Sequence, residues 1–314
     1  MPSPNIIVSE VGPRDGLQSI DSIMSTKDKC EWITMMAQAG IQEIEVGSFV
    51  PAKLLPQLAD TKEVVIFSKQ LPDLSVAVLT PNLFGAKAAI EAGADKITLP
   101  FSVSETHSLK NLRRTHDQVL EEVSTIKIHL DSLSDDQKPH FEVSLSTAFG
   151  CTLEGPIHEK KIVEFAEKII ALGADEVGLS DTTGYATPNH IKRLISQVHS
   201  AIGEQNLTGV HLHNTRGLGL ANVLAALEMG ITTIDSSMAG LGGCPFAPGA
   251  SGNIITEDLV FMLESMGLST GVDFDKLLKA REILSNALPE EELYGFIPDA
   301  GLPLGGLYRG PQTI

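Results

Sequence analysis

The chain has 314 residues, of which 42% are hydrophobic and 20% are charged, a composition typical of globular enzymes. Its formal net charge is −17, from 23 lysines and arginines against 40 aspartates and glutamates, which disfavours nucleic acid and anionic membranes as partners. An anionic substrate would therefore need local positive charge, which draws attention to Arg14, Arg216 and any bound metal.

Short apolar segments rich in β-branched residues alternate with amphipathic segments along most of the chain. Predicted strands cover residues 6–11, 42–47, 74–79, 95–99, 141–147, 175–180, 208–213 and 232–237. Helical patterns cover residues 27–39, 84–92, 110–130, 158–172, 188–202 and 217–229, several of them followed by glycine. This alternation predicts a (β/α)8 TIM barrel. Doubly wound sheets alternate too, but no G-x-G-x-x-G motif follows the first strand.

After the eighth strand the pattern becomes helical. Residues 257–267 and 275–287 have helical periodicity, and a tail rich in glycine and proline follows at 295–314. We expect a catalytic barrel at residues 1–255 and a helical extension packed on it at residues 256–314.

Cysteine usage and the first residues bear on the cellular compartment. The three cysteines show no framework spacing, which favours reduced thiols. The first residues lack the features of a signal peptide, and no apolar run approaches the roughly 20 residues that span a bilayer. We expect a cytoplasmic protein.

In a TIM barrel the chemistry takes place at the C-terminal ends of the strands. The unusual polar residues of this chain fall at those ends: Arg14 and Asp15 after strand 1, Glu45 on strand 2, Asp181 after strand 6, His211 and His213 on strand 7, and Cys244 and Asn253 after strand 8.

A metal site is predicted from part of this set. His211 and His213 are two residues apart, so in a strand they project from the same face. Imidazole is a common metal ligand, and Asp15 and Asn253 could add oxygen ligands. Mixed nitrogen and oxygen donors suit Mg²⁺ or Mn²⁺, with Zn²⁺ and Co²⁺ also open.

Taken singly, each of these residues has a structural explanation as well. The two histidines could be hydrogen-bonded near a strand end, and Asp15, which precedes a glycine, could form a turn. Asn253 and Asp181 could cap helices, and Glu45 could be a structural ion-pair partner. Because all of them fall at one predicted end of the barrel, the metal site is favoured.

The thiols and one further segment leave alternatives open. Cys244 lies in a glycine-rich loop where a thiol can be reactive, although it could also pack as a small hydrophobe. Cys30 is expected to be inert and Cys151 structural. His107 and Asn111 could contact substrate or could cap and solvate the next helix.

Considered together, these residues make the chain resemble the 3-hydroxy-3-methylglutaryl-CoA lyase family of metal-dependent TIM-barrel lyases, which are related to Claisen-type synthases. The similarity covers residues 5 to about 285. It is carried by VGPRDGLQ (11–18), SFVPAKLLPQL (48–58), LTPNLFG (79–85), SDTTGYATP (180–188), HLHNTRGLGLAN (211–222) and SSMAGLGGCPFAPGASGN (236–253). The last segment, with its cysteine, is the most specific.

The resemblance implies a divalent cation and a set of residue roles. Asp15, His211, His213 and Asn253 would bind the cation. Arg14 would stabilise an enolate oxygen, Cys244 would transfer a proton, and Glu45 and Asp181 would orient polar groups. Candidate substrate-binding residues are Gln18, Ser48, Asp181, Thr182 and Arg216.

The implied reaction is a retro-Claisen cleavage of a 3-hydroxyacyl-CoA thioester. A base, His211 or Asp15, would remove the hydroxyl proton, and the products would be acetyl-CoA and a keto acid, which is acetoacetate for the parent substrate. The family also suggests a homodimer.

Several segments depart from the family pattern. Ser-Ile-Asp (19–21) replaces Asn-Glu-Lys, residues 45–49 contain Val-Gly in place of Thr-Thr, and Arg216 stands where an aromatic residue is expected. Strand 5 also ends in Thr-Ala-Phe-Gly-Cys-Thr (147–152) rather than Ala-Leu-Gly-Cys-Pro. These changes surround the substrate position, so a lyase for citramalyl-CoA is an alternative to the parent activity. A condensing synthase and a non-catalytic metal- or CoA-binding barrel are further alternatives.

Overall fold

The computed structural model describes residues 5–242 and 252–304. Eight parallel strands form a closed barrel in sequence order, with β8 paired to β1. The strands are β1 Ile7–Glu10, β2 Glu43–Ser48, β3 Ser75–Leu79, β4 Lys96–Ser102, β5 His140–Ser146, β6 Glu176–Ser180, β7 Gly209–His211 and β8 Thr233–Ser236. The predicted (β/α)8 fold is confirmed, and each predicted strand overlaps an observed one.

Eleven α-helices are found among the described residues. They are α1 Thr26–Gln38, α2 Thr61–Ser68, α3 Leu83–Ala92, α4 Glu105–Asn111, α5 His116–Asp131, α6 Glu159–Ala171, α7 Pro188–Ile202, α8 Gly219–Leu227, α9 Thr256–Ser265, α10 Phe274–Ala287 and α11 Phe296–Ala300. Most lie within a few residues of the helical patterns in the sequence.

The single helix predicted over 110–130 was wrong, because the chain forms α4 and α5 there. Arg113, between them, has a φ of 56°, which a continuing right-handed helix does not allow. Thr115 then starts α5 with a capping box. The Thr115 side chain accepts a hydrogen bond from the Gln118 backbone amide, and the Gln118 side chain accepts one from the Thr115 backbone amide. The T-x-x-Q spacing was a usable signal for this start.

Alternate strand residues separate the apolar outer layer from a more polar barrel interior. Ile97 and Leu99 of β4 are buried against the helices. The side chain of Lys96 points to the other face of the strand, where its ammonium group meets acidic side chains of neighbouring strands. Lys96 Nζ lies 2.7 Å from Glu142 Oε2 on β5 and 3.5 Å from Glu43 Oε1 on β2. The interior of this barrel therefore contains an ion cluster near the start of its strands.

The helices after β8 pack against the barrel. α10 lies along α1, with Leu277 and Leu284 fully buried. The Asp273 amide donates to the Ala39 carbonyl at 2.7 Å. Among the described residues, no helix has the length and apolar character needed to cross a membrane.

Candidate active site

A tight turn after β1 brings two charged side chains together at the C-terminal end of the barrel. Residues Gly12–Gly16 form a short π-helical turn, in which the amides of Arg14 and Asp15 donate to the Val11 carbonyl at 3.1 and 2.7 Å. The turn places the guanidinium of Arg14 against the carboxylate of Asp15, with Nη1 2.5 Å from Oδ1.

Arg14 also reaches across to β2. Its Nε donates to Glu45 Oε2 at 2.5 Å, and both side chains are largely buried. Gln18 Nε2 donates to Asp15 Oδ1 at 2.7 Å. Three predicted site residues, Arg14, Asp15 and Glu45, thus form one buried network, and Glu45 is an ion-pair partner of the arginine.

The two histidines converge although the strand prediction was too long. β7 ends at His211, whereas His213 forms an isolated antiparallel bridge with Asn253. Their Nε2 atoms are nevertheless 3.1 Å apart. The bridge places Asn253 beside the histidines, and its Nδ2 donates to Asp15 Oδ2 at 2.6 Å.

Three of the predicted ligands are arranged as a group that could hold a metal ion. Ligand atoms of Asp15, His211 and His213 all lie within 4.8 Å of one another. Asn253 Oδ1 is buried and has no hydrogen-bond partner among the described residues, so it has an acceptor free for a cation. One carboxylate, two imidazoles and one amide oxygen fit a divalent cation with further positions for substrate.

Charge in this site is distributed unevenly. Burial would raise the pKa of Asp15, but Arg14 and the two histidines more than offset it and hold that pKa well below its usual range. Burial raises the pKa of Glu45 to about 7 against the opposing charge of Arg14. Burial, together with the charge of His211, lowers the pKa of His213 to about 4, which favours the neutral imidazole that binds metals.

The end of β2 and the loop after β6 hold three further predicted residues. Ser48 ends β2, and its Oγ is buried without a partner among the described residues. Asp181 accepts from the amides of Tyr185 and Ala186 at 2.8 and 3.1 Å, and so holds its own loop together. Burial raises the pKa of Asp181 to about 6. Thr182 Oγ1 accepts from the Thr147 amide.

Arg216 is exposed and is directed towards the β6 loop rather than towards the two histidines. Its Nη1 donates to the carbonyls of Thr183 and Gly184, both at 2.9 Å. Its guanidinium lies over the Tyr185 ring at 4.5 Å. Through these contacts Arg216 connects the loop after β7 with the loop after β6.

The other candidates lie on α4 and in the segment after β5, or beyond the described residues. His107 is buried, with Nδ1 2.7 Å from Ser102 Oγ, and Asn111 is the last residue of α4. Cys151 is fully buried, as expected for a structural thiol. Cys244 lies outside the described residues.

Two carboxylates within the same end of the barrel were missed by the sequence analysis. Asp235 on β8 lies 3.0 Å from His211 Nδ1, and Glu10 on β1 accepts from two backbone amides and from Thr256. In the sequence, both are acidic residues inside apolar strand segments. Because a buried charge needs partners, their positions could have predicted that each contacts a polar group in the barrel.

A closed barrel with a His-His-carboxylate group that could hold a metal ion, beside a buried arginine, is the arrangement of a TIM-barrel enzyme. The HMGL-like family model matches residues 5–284, and the chain belongs to this family of hydroxymethylglutaryl-CoA lyases, which are carbon–carbon lyases. The mitochondrial hydroxymethylglutaryl-CoA lyase of Homo sapiens is 41% identical over 281 residues, which are 90% of this chain and 85% of that protein. The cytoplasmic 3-hydroxy-3-methylglutaryl-CoA lyase of Mus musculus is 41% identical over 284 residues, 90% of this chain and 80% of that protein.

Solved structures show the same relationship. An HMG-CoA lyase from Acinetobacter baumannii, in complex with coenzyme A and 3-methylmalate, superposes with a TM-score of 0.87 at 42% identity, covering 94% of this chain and 95% of that one. The Bacillus subtilis HMG-CoA lyase has a TM-score of 0.89 at 34% identity, covering 96% and 99%. The predicted family and enzyme class are confirmed.

Proposed function

We propose that this chain cleaves 3-hydroxy-3-methylglutaryl-CoA to acetyl-CoA and acetoacetate with the help of Mg²⁺ or Mn²⁺. The observation that carries the proposal is the grouping of ligand atoms of Asp15, His211 and His213 within 4.8 Å of one another, with the guanidinium of Arg14 in contact with Asp15. The 41% identity to proteins named for this reaction supports it.

The metal ligands in this proposal are Asp15, His211, His213 and Asn253. When bound, a divalent cation lowers the pKa of a substrate hydroxyl and polarises the oxygens that contact it. Mg²⁺ and Mn²⁺ are proposed because two of the four donors are oxygens, although Co²⁺ and Zn²⁺ accept the same set.

The protein's own residues would carry the proton and the developing charge. Asp15 or His211 takes the proton of the tertiary hydroxyl as the carbon–carbon bond breaks, and the bonding electrons pass into the thioester enolate. Arg14, fixed by Glu45 and Asp15, donates hydrogen bonds to the enolate oxygen. Cys244 or a water molecule then protonates the enolate carbon to give acetyl-CoA.

Several polar side chains near these groups are proposed to bind substrate. Gln18 contacts Asp15, and the buried hydroxyl of Ser48 has no hydrogen-bond partner in the part of the chain that the structure describes. Asp181 and Thr182 would act through the loop after β6, which Asp181 holds together. The partner is an acyl-CoA thioester, consistent with the coenzyme A bound to the Acinetobacter baumannii relative.

A second candidate is cleavage of a smaller hydroxydicarboxylic thioester, with citramalyl-CoA first, giving pyruvate and acetyl-CoA. The Acinetobacter baumannii relative is described with 3-methylmalate, a hydroxydicarboxylate. Arg216, with its contacts to the β6 loop, is the residue we propose to determine this choice. The Arg216→Tyr variant tests that role: an unchanged ratio of kcat/KM for the two substrates would contradict it.

The assembly and the compartment are proposals as well. A homodimer is proposed from the family resemblance, and light scattering would test it. A cytoplasmic location is proposed because the three cysteines, at residues 30, 151 and 244, show no framework spacing; the curated relatives include both cytoplasmic and mitochondrial lyases.

The test of the activity is a cleavage assay on a panel of thioesters: 3-hydroxy-3-methylglutaryl-CoA, both citramalyl-CoA enantiomers and a longer 3-substituted glutaryl-CoA. Acetyl-CoA release is followed with Mg²⁺ or Mn²⁺, with EDTA, and with the Asp15→Ala variant. Turnover of the first compound that is lost with EDTA and in the variant supports the proposal. Turnover of citramalyl-CoA instead supports the second candidate, and metal-dependent synthesis from acetyl-CoA without cleavage would favour a condensing synthase.

A further inference from the structure

We infer that Asp235 is a positioning residue that fixes the tautomer and orientation of His211 for metal binding. Asp235 Oδ2 lies 3.0 Å from His211 Nδ1. The two residues are direct partners in the register of the parallel strands β7 and β8, so the backbone itself brings these side chains together. This inference rests on the metal site of the proposed function.

The chemistry of the two groups determines which of them donates. An ionised carboxylate accepts hydrogen bonds and has none to give, so the proton must be on Nδ1 of His211. The lone pair is then on Nε2, the atom that lies 3.1 Å from His213 Nε2 and 3.9 Å from Asp15 Oδ2. Asp235 therefore selects the tautomer whose free nitrogen faces the other ligands.

The contacts of Asp235 indicate that holding His211 is its main role. Among the described residues, His211 is the one hydrogen-bond partner of the Asp235 side chain. The Asp235 side chain is 28% exposed, so water can solvate its charge. The contact with His211 is therefore not explained by a buried charge that lacks any other partner. By contrast, Nδ1 of His213 is buried and has no partner in the described part of the chain.

Asp235 also adds negative charge beneath the site. Its charge acts on Arg14 and on Glu45, and it raises the pKa of both. The carboxylates of Asp15 and Asp235 lie on either side of the His211 ring, 3.9 Å from Nε2 and 3.0 Å from Nδ1. Negative charge at these positions attracts a cation, so Asp235 favours metal binding by charge as well as through His211.

The first arm of the test measures metal affinity without substrate. Mn²⁺ binding is followed by the EPR signal of the free ion for the wild-type protein and for Asp235→Asn and Asp235→Ala. Losing the partner of a ligating histidine weakens metal binding by about 10- to 100-fold, and we expect Asp235→Ala to lose at least as much as Asp235→Asn. The control is Asp175→Asn, which removes a carboxylate at the opposite end of the barrel, where Asp175 accepts from the Phe141 amide.

The second arm reads the tautomer directly. In the Mg²⁺-loaded wild-type protein, nitrogen NMR of labelled histidine should show Nδ1–H for His211, assigned by loss of the signal in His211→Asn. A proton on Nε2 instead would overturn the inference. So would Mn²⁺ affinities of both Asp235 variants within twofold of the wild type.

The two arms separate this inference from the proposed function. A protein that binds Mn²⁺ but cleaves none of the thioesters refutes the proposed activity and leaves the test of Asp235 intact. If the Asp235 variants do not fold, the NMR measurement on the wild-type protein still decides, because it needs no Asp235 variant. A wild-type protein that binds no Mn²⁺ overturns both.

Discussion

Arg14 and Glu45 are 31 residues apart in sequence, on the first and second βα units, yet their side chains meet at 2.5 Å inside the barrel. The same guanidinium contacts Asp15 through Nη1. A planar group held at two of its corners by carboxylates has little rotational freedom. Arg14 is therefore presented to the site in one orientation, as expected for a donor aimed at developing charge.

Replacing Arg14 by lysine is expected to lower kcat strongly while metal binding persists. Lysine keeps the positive charge, but its compact ammonium cannot reproduce the forked contacts to Glu45 and Asp15. Losing a donor that stabilises a developing oxyanion costs about 10²- to 10³-fold in rate. Steady-state cleavage kinetics and Mn²⁺ titration of Arg14→Lys would measure the two effects separately.

The matched control is Arg193→Lys, at the exposed pair with Glu159 on the outer helices, which should leave both quantities unchanged. A near-normal kcat in Arg14→Lys would mean that a positive charge alone is sufficient, and that the fork geometry is unimportant.

The Asn253→Ala variant should need more metal for the same activity. Asn253 contributes a buried amide oxygen that has no partner among the described residues, and a hydrogen bond from Nδ2 to Asp15. We expect the affinity for Mn²⁺ to fall at least about 10-fold, with turnover restored in part at high Mn²⁺. Asn206→Ala, at a surface turn where Nδ2 donates to the Ile202 carbonyl, is the control. Unchanged affinity would remove Asn253 from the ligand set.

The sequence predicted the barrel well because every βα unit repeats the same local signal. It predicted the positions of Asp15, His211 and Asn253 at one end of that barrel, because parallel strands necessarily end together. It did not reveal the contact between His211 and Asp235, 24 residues apart. That contact depends on the stagger between β7 and β8, which is determined by the closure of the whole barrel.

Local deviations also escaped the sequence patterns. His213 lies beyond β7 in a bridge with Asn253, because a segment some 40 residues further along the chain returns to pair with it. Arg216 remains a predicted substrate-binding residue, but the sequence did not reveal that its Nη1 bonds to two backbone carbonyls. Which carbonyls lie within reach of a long side chain is decided by loop geometry, and residue types do not encode it.

Glu10 predicts a pH dependence of stability that is unrelated to catalysis. Burial raises the pKa of this carboxyl from its ordinary 4.5 to about 8, although Thr256 and the amides of Met238 and Gly12 donate to it. Between these two pH values the folded protein holds the proton more tightly than the unfolded chain does. The stabilisation is therefore complete below about pH 4.5 and is lost as the pH rises through about 8.

The Glu10→Gln variant should remove this dependence. Its carbonyl oxygen can accept from the amides of Gly12 and Met238, and its NH₂ can donate to Thr256 Oγ1, which in turn bonds with Ser236 Oγ at 2.8 Å. Urea unfolding of metal-free protein at several pH values would show the wild-type free energy of unfolding falling by up to about 1.4 kcal/mol per pH unit. Glu10→Gln should have a flatter profile than both the wild type and the exposed control Glu167→Gln, and equal slopes in all three would refute the assignment.

The ion cluster of the barrel interior makes a final prediction. Lys96 lies between Glu142 and Glu43, with side chains that are 13–15% exposed. Burial raises the pKa of Glu142, and Lys96 opposes that rise. Replacing Lys96 by methionine keeps the length of the side chain but leaves Glu142 buried without its closest cation, which typically costs about 3–5 kcal/mol.

A second substitution separates the lost charge from lost packing. In Lys96→Met/Glu142→Gln both charges of the closest pair are gone, so the free energy of unfolding should recover by more than half of the single-variant loss. Lys160→Met, at a helix-surface pair in which the lysine is 87% exposed, should change stability by less than about 0.5 kcal/mol. Urea unfolding in EDTA measures all three variants. If the double variant is as unstable as Lys96→Met, removal of the unpaired carboxylate has restored no stability. The loss in Lys96→Met would then come from the packing of the lysine side chain, and the prediction would be wrong.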